Sequence, residues 1–153
     1  MRKWLLGIGA CVLFGGSVLL WPQQLTEEEK VKLVILQVEQ GAEATKLGQV
    51  MEMISRDYQD ENGLSQQMLR GFLFQQFRKR GPINLAVSPI LLTLEDTKAE
   101  ASFEVALVER EKKTLIGWPV DADLLHFEVK LRKEADEQWR IVSHTREKVI
   151  RRD

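Results

Sequence analysis

Five side chains have the types that proton-transfer chemistry uses: Asp57, Tyr58 and Asp60, close together, and His126 and His144 far downstream. A carboxylate beside a phenol at a pocket mouth supplies a base and a donor, so Asp57, Tyr58 and Asp60 are the candidate catalytic residues. The same three have a simpler use. Asp57 and Asp60 would support a turn over Asp60-Glu61-Asn62-Gly63 through side chain to backbone hydrogen bonds, with Tyr58 burying its ring and leaving its hydroxyl in water. The local sequence favours that second use. A calcium loop fits only Asp60, Asn62 and Gly63, because Tyr58 and Leu69 would fill its first and last ligand positions.

Strict alternation along their strands puts both His126 and His144 on an outward face, and a slip of one residue would reverse that. Neither has a Cys or His partner at ligand spacing, so no metal site and no cofactor is expected. Cys11 is the single cysteine, which excludes an intrachain disulfide. Residues 114–120, TLIGWPV, lie between two strands, and apolar residues in a connecting loop need cover. They cap the core or anchor a partner protein, and Ile116 and Trp118 are the candidate partner contacts, Trp being a common interface anchor.

The elements that position these residues are legible in the pattern. Thr26 followed by Glu29 is a capping box, with Glu27 and Glu28 at the positive end of the helix dipole. A helix is predicted from there to about Thr45, its apolar face Val31, Val34, Ile35, Val38 and Ala42. A shorter helix follows over 47–55. Ser65 caps a third, whose stripe is Met68, Leu69, Phe72, Leu73 and Phe77, and Gly81-Pro82 ends it. From Ile83 the period becomes two. Ile83, Leu85 and Val87 alternate, Pro89 breaks the strand or marks a bulge, and Ile90, Leu92 and Leu94 resume. Further strands put Ala99, Ala101, Phe103, Val105 and Leu107, then Leu125, Phe127, Val129 and Leu131, then Trp139, Ile141, Ser143 and Thr145, on one face. The fold class is α+β: three helices packed on a curved antiparallel sheet of about four strands.

A chain of 153 residues suits one domain. Formal net charge is −1, and Arg2 and Lys3 supply part of the basic count, so the remainder is mildly acidic and no nucleic-acid partner is expected. Residues 4–21 carry no charge. As a helix they would span about 27 Å, close to the hydrocarbon thickness of a bilayer, with Trp4 and Trp21 at its two interfaces. Arg2 and Lys3 precede the run and Glu27, Glu28 and Glu29 follow it. The expected division is therefore a signal anchor over 1–22 and a domain over 23–153, in a bacterial inner membrane with the N-terminus cytoplasmic and the domain periplasmic. Cleavage or lipidation at Cys11, or cleavage near Gly15 and Ser17, would instead leave a greasy mature terminus.

Helix order, the Asp57-Tyr58-x-Asp60-x-x-Gly63 turn and the closing Trp139-Arg140-Ile141-Val142 strand together resemble the cone-shaped fold of nuclear transport factor 2, ketosteroid isomerase and polyketide-cyclase-like proteins. The resemblance covers about residues 26–146 and implies a pocket between the helices and the concave sheet. Ketosteroid-isomerase-like enzymes set an inward carboxylate base opposite hydrogen-bond donors. Here the inward strand positions are apolar apart from Ser143 and Thr145, so the resemblance supplies no matching catalytic pair. Outward positions Glu100, Glu104, Glu128, Lys130, Arg132, Arg140 and Arg146 make a mixed-charge surface, a solvated face rather than an obligate dimer interface. The functional expectation is a membrane-anchored periplasmic domain that binds a small apolar ligand or an envelope protein without catalysis. The alternatives are an anchored enzyme of the ketosteroid isomerase or polyketide cyclase kind, and a structural subunit of a cell-envelope complex recruiting through Trp118.

Overall fold

Both halves of the capping box form at the start of the first helix: the Glu29 N–H donates to Thr26 Oγ1 at 3.2 Å, and the Thr26 N–H donates to Glu29 Oε2 at 2.7 Å. The computed structural model describes residues 24–108 and 124–149. Its elements are α1 (Glu27–Glu43), α2 (Leu47–Glu52), α3 (Gln66–Arg80), β1 (Asn84–Val87), β2 (Leu91–Glu95), β3 (Lys98–Val108), β4 (Leu124–Lys133) and β5 (Trp139–Lys148). Ser65 caps α3, and Gly81, at φ 68°, ends it. The second helix is shorter than the sequence predicts, because the chain after it is taken up by the sheet. The Ile141 N–H donates to the Met53 carbonyl at 2.9 Å, the Ser55 N–H to the Ile141 carbonyl at 2.9 Å, and the Gln59 N–H to the Val142 carbonyl at 3.0 Å.

Gly41 lets α1 and α2 approach closely. A Cβ there would meet Val50 Cγ2 at 2.8 Å and the Val50 backbone nitrogen at 3.3 Å, whereas one at Gly48 would meet nothing within 4 Å. Alanine gains about 1 kcal/mol over glycine in a helix, but an overpacked buried contact costs about 1–3 kcal/mol. Gly41→Ala should therefore lower the urea midpoint, and Gly48→Ala should leave it unchanged or raise it.

The sheet is antiparallel, in the order β1-β3-β4-β5, with β2 also paired to β3. β1 lies along the C-terminal half of β3 and β2 along its N-terminal half. These two strands are consecutive pieces of one edge, broken at Ser88-Pro89-Ile90 because proline has no N–H to give the ladder. Five strands therefore occupy the four positions that the alternation predicts. The core packs Val31, Val34 and Ile35 of α1 and Met51 of α2 against Ala99, Ala101, Phe103, Val129, Leu131, Trp139 and Ile141 of the sheet.

The face assignments of β5 beyond Ile141 are overturned. β4 and β5 pair Leu131 with Ile141 but Lys130 with Ser143, so Val142 is an extra residue, a β-bulge. Beyond it the faces of β5 exchange. His144 lies opposite Val129 and Arg146 opposite Phe127, on the concave side, while Ser143 and Thr145 face outward beside Lys130 and Glu128. Strict alternation fails here because its premise, one residue for one residue, is broken by the bulge that the 53–59 segment fastens.

Among the described residues no helix is long and apolar enough to cross a membrane. The anchor expected over residues 4–21, with Trp4, Cys11 and Trp21, lies outside the described residues, as do Ile116 and Trp118.

Candidate functional site

The apolar stripe of α3 is only partly used in packing: Leu69 is 7% exposed, but Met68 is 58% and Phe72 39% exposed. The helix stands off the sheet. Between α1, α3 and the concave face lies a cavity of about 820 Å³, in the range of small-molecule sites. Val38, Leu69, Phe72, Leu73 and Phe77 line it from the helices, and Leu85, Val87, Phe103, Val105, Phe127 and Val129 from the sheet.

The bulge at Val142 aims His144 into this space. Its Nδ1 is 2.6 Å from the Tyr58 hydroxyl. Tyr58 is 2% exposed, and its hydroxyl has no other hydrogen-bond partner among the described residues. A buried O–H left without an acceptor is costly, so the hydroxyl donates to Nδ1 and the imidazole carries its proton on Nε2. No buried side-chain nitrogen or oxygen among the described residues lacks a partner; Nε2 has no hydrogen-bond partner among them, so it is not fully buried, and His144 lines the cavity. Burial pushes the His144 pKa below its ordinary value, with Asp60 pulling it up and Arg146 pushing it further down. Burial also lifts the Tyr58 phenol to about 12, Asp60 adding to the rise and Arg146 opposing it. Both groups are neutral at pH 7. They continue a row of stacked rings across the sheet: Phe103 to Phe127 at 5.9 Å, Phe127 to His144 at 5.9 Å, and His144 to Tyr58 at 6.0 Å between centroids.

The other candidates fall elsewhere. Asp57 is turned away from the cavity, its Oδ2 2.8 Å from Arg132 Nη2 and its side chain 75% exposed. It belongs to an ion-pair cluster at the β4–β5 turn, where Ser55 donates to Glu134 at 2.6 Å and Arg140 binds Glu134 and Asp136. Asp60 does line the cavity, but its Oδ1 accepts the N–H groups of Asn62 at 2.9 Å and Leu64 at 2.7 Å, holding the turn. Tyr58 buries its ring as the turn reading expects, while its hydroxyl is bonded to His144 instead of water. His126 is outward, 3.3 Å from Ser102 Oγ. Among the described residues no three His, Cys, Asp or Glu side chains converge as metal ligands.

His144 was missed because its face was assigned by counting. The signal lay in the same strand: after Ile141 the positions assigned inward turn polar at Ser143 and Thr145, which a bulge between them and Ile141 explains.

Depression of the His144 pKa sets a sign for stability against pH. Between its folded value and the unfolded value of about 6.5, the unfolded chain binds more protons than the native one. The stability present above about pH 6.5 is therefore lost as pH falls through the depressed folded value. Glu39, raised by burial and by Glu43, acts with the opposite sign. The carboxylates held low, Glu27, Glu29, Glu134 and Asp136, act only below their own unfolded range. His144→Gln removes the histidine contribution alone, so its urea midpoint should fall less than that of the wild type between about pH 6.5 and 5.

No family model matches the chain, and no curated protein matches it. Solved structures do. A Nostoc punctiforme protein of unknown function with a cystatin-like fold is 13% identical, with a TM-score of 0.65 over 82% of this chain and 95% of that one. A nuclear transport factor 2-like protein of unknown function from Pseudomonas putida is 8% identical, with a TM-score of 0.64 over 80% and 88% of the two chains. A Bdellovibrio bacteriovorus protein, 8% identical, reaches a TM-score of 0.65 over 80% of this chain, which spans 40% of its length. At these identities the likeness carries architecture alone: this is an α+β domain of the nuclear transport factor 2-like, cystatin-like fold.

Proposed function

We propose that the domain binds a small, largely apolar molecule in the cavity between α3 and the sheet, and fixes it through the Nε2–H of His144. The observation that carries the reading is the surplus of apolar surface: an α3 stripe that ends at a cavity wall instead of in packed core. Burying that surface against a ligand gains about 25 cal/mol per Å², and one donor in an apolar wall orients what enters. Titration with N-phenyl-1-naphthylamine, a neutral apolar fluorophore, tests it. A saturable rise in emission with one site per chain is expected, and emission no higher than with free fluorophore would overturn the reading.

Proton-transfer catalysis is the second reading, and the contact between His144 and Tyr58 favours it. Catalysis at neutral pH works best with groups whose pKa lies near 7. An imidazole pushed below its ordinary value and a phenol at about 12 make a weak base and a weak acid, which is why binding is preferred.

We also propose that the domain is held at the periplasmic face of a bacterial inner membrane by residues 4–21. The uncharged run and the charges flanking it support this. A C-terminal alkaline phosphatase fusion should be active and pellet with membranes; a soluble, inactive fusion would remove the anchor. Ile116 and Trp118 are proposed contacts for an envelope protein. Crosslinking in the native envelope should lose its product in Trp118→Ala, and an unchanged product would exclude that residue.

A further inference from the structure

One carboxylate in the cavity wall has no use in the fold. Glu39 is half-buried on α1 and lines the cavity, and it has no hydrogen-bond or ion-pair partner among the described residues. Its neighbour Glu43 is fully employed: its carboxylate accepts the Leu85 N–H at 2.7 Å and its carbonyl the Ile83 N–H at 3.3 Å. The charge acting on Glu39 is that same Glu43, of like sign, and burial adds to the cost of ionising it. A half-buried carboxylate beside an apolar wall favours a cationic partner.

Its position relative to His144 follows from the path of α1. That helix starts at β5, where Trp139 Nε1 donates to Glu27 Oε2 at 2.7 Å, and ends at β1, where Glu43 is bonded. Glu39 lies one turn before Glu43, toward the β1 edge. β1 and β5 are opposite edges of the sheet, three strand spacings or about 14 Å apart. The cavity thus has a donor near one edge and an unpartnered acceptor toward the other. Of the charged side chains lining it, Glu39, Asp60 and Glu61 are acidic and Arg80 and Arg146 basic.

We infer that Glu39 is the second polar contact of the ligand, taking a protonated amine, so that the preferred ligand class is an apolar molecule with an ammonium group. The ammonium supplies the donors and the charge that Glu39 lacks, and the rings of Phe77, on α3, and Phe103, on β3, line the same cavity and are compatible with a cation. This rests on the cavity being a ligand site, as proposed above.

The test is displacement of N-phenyl-1-naphthylamine by decylamine, 1-decanol and decanoate, which share a chain and differ in the head. Decylamine is expected to compete at a concentration about tenfold lower than decanol, because its ammonium adds a charge opposite to that of the carboxylate. In Glu39→Gln that preference should vanish while decanol still competes, and the thermal midpoint should be no lower than wild type. Glu39→Asp should keep part of the preference. Equal competition by the three heads, a preference for decanoate, or an amine preference that survives in Glu39→Gln would each overturn the assignment. If the fluorophore itself does not bind, the ligand site falls and the role of Glu39 with it, a failure that is distinguishable from the others.

Discussion

Trp139→Ala should cost about 3–5 kcal/mol of folding stability, as truncation of a buried tryptophan does. The side chain is 3% exposed and sits in the core with Val31, Val34 and Ile35 of α1. It also ties two distant parts of the chain together. Its Nε1 donates to Glu27, in the first turn of α1, and Lys133 reaches the same carboxylate at 3.4 Å. Lys30 first, then these two contacts, bring the Glu27 pKa down to about 2. Alanine therefore removes the bulk and loosens the start of α1 together. Domains of this size are stable by about 5–15 kcal/mol, so the variant should lose a large share of its stability. Trp139→Phe keeps most of the bulk and loses the hydrogen bond, and Glu27 is exposed enough to be rehydrated, so it should cost clearly less. Urea denaturation of the three proteins checks the order; an alanine variant within about 1 kcal/mol of wild type would mean that the contact with α1 is not what holds the layers together.

The second large effect is a coupling between Tyr58 and His144. Removing one partner of a buried hydrogen bond leaves the other unpaired, at about 1–3 kcal/mol. Tyr58→Phe strands Nδ1 of His144, and His144→Leu strands the Tyr58 hydroxyl, so each single variant should pay that penalty. The double variant strands nothing, because apolar groups of similar shape replace both partners, and it should be less destabilised than the sum of the singles. Its ligand behaviour should differ too. With no Nε2–H in the cavity, His144→Leu should bind apolar molecules without discriminating those that carry a carbonyl. Additive single-variant costs, or undiminished discrimination, would contradict the contact as described.

The sequence displayed the scaffold well and the site poorly, for identifiable reasons. Thr26 with Glu29, and Ser65 ahead of α3, are local signals that depend on a few neighbouring residues, and both caps form. The alternation over Ala99 to Phe103 and over Phe127 to Leu131 reports burial directly, and most of those residues are in the core. Pro89 marked the break that divides one sheet edge into β1 and β2. His144 depended on register instead. A single unpaired residue, Val142, turns it inward, and that residue is fixed by a hydrogen bond from Gln59, far away in the chain. Glu39 was illegible for a different reason. The helical period counts apolar positions, and a carboxylate at the margin of the apolar face carries no mark of whether it meets water or a cavity.

The most direct test of the account is the ¹⁵N and ¹H spectrum of the His144 imidazole at pH 7, recorded with and without 2-decanone, an apolar molecule with one hydrogen-bond acceptor. The ring should be neutral and protonated on Nε2, with Nδ1 as an acceptor, and the Nε2–H resonance should move saturably with 2-decanone but not with decane. A charged ring, a proton on Nδ1, or an Nε2–H resonance indifferent to the ketone would contradict a cavity that holds its ligand through His144.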